Sequence, residues 1–178
     1  MNFAFFESLS VEDARDYLSG FLETESAAIG EMRDAAEQAC VAMDHSIASV
    51  PHVLKWILKD VQIVRISVPA SEPDWVQQAH ADGLIDFEEG SKYLILRAAY
   101  YMGECFVRAC PSLHWTIGDP EYIEKNMPVV AGFRSGTEMA PMMIVGNLFA
   151  RILGDDAPIT DIDRAVATWG NDIPSRQE

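Results

Sequence analysis

The chain is short of positive charge. Its 178 residues hold 13 Lys and Arg against 28 Asp and Glu, a formal net charge of −15. A surface of that sign repels nucleic-acid phosphates and anionic lipid, so neither is an expected partner. It attracts a basic protein and speeds the encounter. The same charge also serves plain solubility. The acidic residues are spread along the chain, which describes a folded acidic surface and not an acidic tail. Cysteine is scarce and odd in number: Cys40, Cys105 and Cys110. They form no CxxC pair and no secreted disulfide framework, so a reducing cytoplasm is the expected compartment. The opening MNFAFFESLS has no basic flank and too short an apolar run for a signal peptide. The histidines, His45, His52, His80 and His114, make no HExxH and no tight ligand cluster. No metal and no cofactor is therefore expected. The chain also lacks GxxxxGK[ST], GxGxxG and GxSxG, which leaves no phosphate loop and no nucleophile elbow. Ser135 in GFRSGTE reads as a turn residue, and Asp155 and Asp156 as a solvent-facing loop. There is no internal repeat and no low-complexity segment.

Apolar residues make up 49% of the chain, enough for one domain with a substantial core. The predicted domain spans 1–173, with a flexible tail over 174–178. Ser10 is placed to cap a long helix, or two abutting helices, running to about Asp44. Ser49 caps a helix over 52–60, with Pro51 tolerated in its first turn. The β-branched run 61–68 predicts a strand closed by Pro69. Ser71 caps a short helix with Trp75, Val76 and Ala79 facing inward, ended by Gly83. Strands are predicted at 114–117 and 128–133, joined across a turn at Gly118, Asp119 and Pro120. A helix follows over 138–153, with Pro141 in its first turn, and Thr160 caps a last one. The expected class is α+β: a mostly helical single domain with a small two- or three-stranded antiparallel sheet.

The helix predicted from Tyr93 to Cys110, YLILRAAYYMGECFVRAC, is the most informative segment. Apart from Gly103, its only residues outside the apolar and aromatic set are Arg97, Glu104 and Arg108. At 100° per residue Glu104 falls about 20° from Arg97, and Arg108 about 40° from Glu104. Three charges thus share one stripe on an apolar cylinder. Three readings stand: a buried ion network that fixes helix packing, a ligand or partner site, or a catalytic acid or base, with His114 as a further candidate. Three charges in this segment argue against membrane spanning despite its length, and no membrane association is expected. Asn147 and Arg151 form a second i,i+4 pair on the apolar helix 138–153. The two stripes either face each other, with Tyr101 and Trp115 lining the gap, or face solvent separately. Phe3, Phe5 and Phe6, so near the N-terminus, either dock on the body or offer a homodimer contact.

A helix reading YxGExxxR, a Trp-bearing strand, a PVVxGF strand and a helix opening with MAP and carrying Asn resembles a group of uncharacterised bacterial domains. Some of these resemble the immunity proteins of polymorphic toxins. The resemblance covers Tyr93 to Leu153 and rests on Tyr101, Gly103, Glu104, Arg108, Trp115, Pro141 and Asn147. It implies a small cytoplasmic protein without catalysis that binds a toxin. The expected function is therefore protein binding, with toxin neutralisation by an acidic face docked over a basic active site. The alternative is a small-ligand binder or enzyme using Arg97, Glu104 and Arg108.

Overall fold

The computed structural model describes residues 4–71, 73–79, 83–154 and 156–175. Phe3, His80, Asp155 and positions 176–178 of the expected tail lie outside them. The elements run α1 (Ala4–Glu7), α2 (Val11–Gln38), a 3-10 turn (Ile47–Ser49), α3 (Val50–Leu58), β1 (Ile63–Ile66), α4 (Asp74–Ala79), β2 (Leu84–Phe87), α5 (Glu89–Ala109), β3 (His114–Ile117), β4 (Pro128–Ala131), α6 (Pro141–Leu153) and α7 (Asp161–Gly170). The fold is a mostly helical α+β domain. In place of one small sheet there are two antiparallel strand pairs, β1–β2 and β3–β4. None of the described helices is long and apolar enough to cross a membrane.

α2 is one helix of 28 residues, about 42 Å long at 1.5 Å per residue. Ser10 caps it: the Oγ accepts the Asp13 amide at 3.1 Å and donates to the Asp13 carboxylate at 2.6 Å. It stops six residues short of Asp44. Cys40 takes a left-handed backbone, φ 55°, and Val41 N–H returns to the Ala36 carbonyl at 2.8 Å. That is the helix-ending motif usually built on glycine, and the apolar periodicity past it could not reveal it. Ala14, Phe21, Ile29, Met32 and Ala36 bury one side, and the carboxylates of the other side meet solvent.

α5 lies at the centre. Ile95, Ala98, Ala99, Tyr101, Met102, Cys105 and Phe106 are fully buried, in contact with α2, α3, α6 and the β3–β4 pair. It begins at Glu89, four residues before Tyr93, and ends ahead of Pro111. β3 pairs with β4 in the register Trp115↔Val130 and Thr116↔Val129. α6 starts at Pro141 and not at Glu138, because both backbone groups of Met139 are committed to Val130 at 2.8 and 2.9 Å. β2, LIDF, has no counterpart in the sequence reading. It pairs with β1 as Ile63↔Phe87 through Ile66↔Leu84. Gly83 (φ 90°) serves that pair: a Cβ there would stand 2.8 Å from the Ile66 carbonyl oxygen.

Three further expectations change. Trp75 is 71% exposed and does not face inward. Thr160 makes no side-chain cap bond, and neither does Ser49, whose hydroxyl is used elsewhere. The Pro174 carbonyl accepts from the Cys110 thiol at 3.8 Å. Phe6 is buried against Tyr17, while Phe5 stays half exposed.

Candidate functional site

The stripe on α5 is a rim and not a buried network. Its helix runs unbroken through Gly103. Glu104 and Arg108 pair at 2.9 Å, with side chains 17% and 52% exposed. Arg97 does not reach Glu104; its guanidinium lies 3.7 Å from Glu31 on α2. The second oxygen of Glu104 accepts the Trp115 indole N–H at 3.4 Å. Gly103 makes that contact possible, because a Cβ would overlap the Trp115 ring. The indole stacks parallel to Tyr100 at 6.3 Å and meets the edge of Phe21 at 5.6 Å. Both carboxylate oxygens of Glu104 are thus engaged, in a bond pattern that serves packing. His114 points away from this group, exposed, with Nδ1 3.0 Å from the Ser112 carbonyl. Asn147 and Arg151 are exposed on α6, and Arg151 leans toward Asp161 at 3.8 Å. The two polar stripes therefore do not meet across a gap; α5 and α6 pack directly on each other.

Tyr101 belongs to a different cluster. Its hydroxyl is 2.7 Å from Ser49 Oγ and accepts the His45 amide at 3.2 Å. Ser49 Oγ donates to the Ser46 carbonyl at 2.7 Å. A hydroxyl has one hydrogen, so Tyr101 must be the donor to Ser49. The chain of donation runs His45 N–H, Tyr101 O–H, Ser49 O–H, Ser46 C=O. The His45 ring lies 5.3 Å from that of Tyr101, with Nε2 3.1 Å from the Arg33 guanidinium. Arginine can only donate, so Nε2 accepts and Nδ1 carries the proton, buried and without a partner among the described residues. His45 holds φ 60°, a strained value for a non-glycine residue. Burial pushes the Tyr101 phenol and the Cys105 thiol each up to about 12. Burial and the neighbouring Arg108 and Arg33 hold His45 below its usual range. Phenol, thiol and imidazole are all kept neutral, which suits a latch that ties the 40–46 segment to α5 and opposes nucleophilic use.

A third group, at the loop between β3 and β4, presents itself to solvent. Gly118 N–H bonds Met127 at 2.8 Å and Asn126 N–H returns to Gly118 at 3.1 Å. The Asn126 amide, buried, donates to the carbonyls of Phe6 and Leu9 at 3.2 and 2.9 Å. Asp119 accepts the Glu121 amide at 2.8 Å, and the Asp119 amide donates to Glu138 at 3.0 Å. A loop pinned at so many points nevertheless leaves Tyr122 64% and Ile123 72% exposed. Asp119, Glu121 and Glu124 flank them along the loop, and Lys125 is the only Lys or Arg in 118–127. Beside them lies a cavity of about 210 Å³ lined by Tyr122, Glu124, Ser135, Gly136, Thr137 and Glu138. Ser135 is a turn residue held by Thr137 and by both oxygens of Asp172. From the sequence, residues 119–127 are expected only to link the two strands. The run EYIE, two large apolar residues between two acids, was the available signal. Compared with family models, curated proteins and solved structures, the chain finds no match.

Proposed function

We propose that this protein binds a basic protein partner and neutralises it by covering its working surface, the role that the resemblance of residues 93–153 to toxin-immunity proteins implies. One observation carries the reading: Tyr122 and Ile123 stand in solvent on a loop fixed from below, between Glu121 and Glu124, with Glu138 beside Tyr122. A rigid loop surrenders little entropy on docking, and large apolar side chains at the centre of a patch supply most binding energy. The acidic rim steers a basic partner and adds rate more than affinity. α2 adds to the overall negative field, with eight carboxylates against two arginines, a net −6.

The test is capture of partners from source-cell lysate on the wild-type chain and on the Tyr122→Ala/Ile123→Ala variant. A basic protein should bind the wild type and fall away as salt rises. Each anchor is expected to contribute about 2 kcal/mol, so the double variant should retain under a hundredth of the affinity. Undiminished retention on the variant, or an acidic partner, refutes the proposal.

A further inference from the structure

Past the end of α2, the strap Cys40–Val41–Ala42 stands off α3 and encloses an open-sided cavity of about 360 Å³. The floor is His52, Lys55, Trp56 and Lys59, whose i, i+3, i+4, i+7 spacing puts them on one helical face. The chain has 28 carboxylates, yet this lining holds none. The cavity at the 118–127 loop has Glu124 and Glu138, and the one beside Arg33 has Glu37 and Asp44. Here alone among the three the local sign is reversed. Lys55 is held in place by both oxygens of Asp163, at 2.8 and 2.6 Å. Lys59, at the end of α3, is exposed and takes part in no salt bridge among the described residues. Trp56 is partly buried against the core and offers a flat apolar surface beside Val41. The volume falls within the range of small-molecule sites.

We infer that this cavity binds a small organic anion with an aromatic body. The ring lies against Trp56 and Val41, and the carboxylate, phosphate or sulfonate group meets Lys59 and His52. The inference uses none of the residues of the proposed protein-binding face and stands or falls apart from it.

The probe is 8-anilinonaphthalene-1-sulfonate, titrated by fluorescence into the full chain. One saturable site is expected. A charge-assisted contact should make binding about tenfold weaker in Lys59→Met. Lys59→Arg should restore it. Arg15→Met removes the same charge from exposed α2 and should leave affinity unchanged. Cys40 is exposed while Cys105 and Cys110 are buried, so iodoacetamide reads Cys40 in the native protein. Its alkylation should slow as the probe fills the site. Absence of saturation, equal weakening in Lys59→Met and Arg15→Met, or undiminished alkylation at saturating probe each overturns the inference.

Discussion

Tyr101→Phe removes one oxygen atom from the latch and leaves the ring. The oxygen is fully buried, donates to Ser49 and accepts the His45 amide, so two hydrogen bonds go together. Each contributes about 1 kcal/mol net, and the His45 amide left without an acceptor costs about 1 kcal/mol more. The sum is a loss of about 2–3 kcal/mol. For a chain of this length that corresponds to a fall in Tm of about 5–10 °C. Urea unfolding should show a lower midpoint at constant m, since the surface exposed on unfolding is unchanged. Ser49→Ala alone should cost less, and the pair should couple by about 1 kcal/mol, because both act on one chain of donation. Hydrogen exchange locates the effect. The His45 amide should lose protection in the variant while the amides of α6 keep theirs. A loss under about 0.5 kcal/mol, with His45 still protected, would refute the donation order assigned to the cluster.

Two helical glycines should respond with opposite signs. Gly103→Ala forces the new methyl into the Trp115 ring and should destabilise by about 1–2 kcal/mol with altered near-ultraviolet dichroism, whereas Gly30→Ala meets nothing within 4 Å and should gain about 0.5–1 kcal/mol. Glu25 is 8% exposed with one carboxylate oxygen unpartnered among the described residues, and burial raises its pKa despite the opposing pull of Arg97. A carboxyl so raised favours folding at low pH and loses that contribution as pH climbs through the folded value. Glu25→Gln should therefore stabilise by about 1 kcal/mol at pH 7 and by nothing near pH 4, measured by denaturant midpoints. His45 titrates the other way. Its folded pKa is held below the ordinary 6.5 by burial, Arg108 and Arg33, against Glu104 and Asp44. Its contribution is complete above 6.5 and is lost as pH falls through the folded value, so His45→Gln should flatten the stability profile below pH 6.5.

What the sequence could tell depended on whether the deciding contact was local. β3 was legible to the residue, because Pro111 and the Gly118–Pro120 turn bracket it. The Ser10 cap and the Glu104–Arg108 pair are also contacts within four residues, and both were readable from spacing. The partners of Tyr101 and Arg97 were not. Ser49 lies 52 positions from Tyr101, and no periodicity links them. Arg97 chose Glu31 on α2 over a residue of its own stripe. The start of α6 moved for the same reason, since only the pairing of Met139 with Val130 decides that three more residues stay extended. The charged stripe on α5 marks where the helix leaves the core, with the oxygens of Glu104 taken up by Arg108 and Trp115. Trp115 fills the space Gly103 leaves and takes up the free oxygen of Glu104. Tyr122 and Ile123 on their pinned loop, and Lys59 with the open face of Trp56 beneath the Cys40 strap, are the groups on which the two proposals rest. In a molecule of net charge −15, Tyr122 and Ile123 stand in water on a pinned loop, and Lys59 stands beside a hollow with no salt bridge among the described residues; the packing of the core accounts for neither, which is the physical ground of the two proposals.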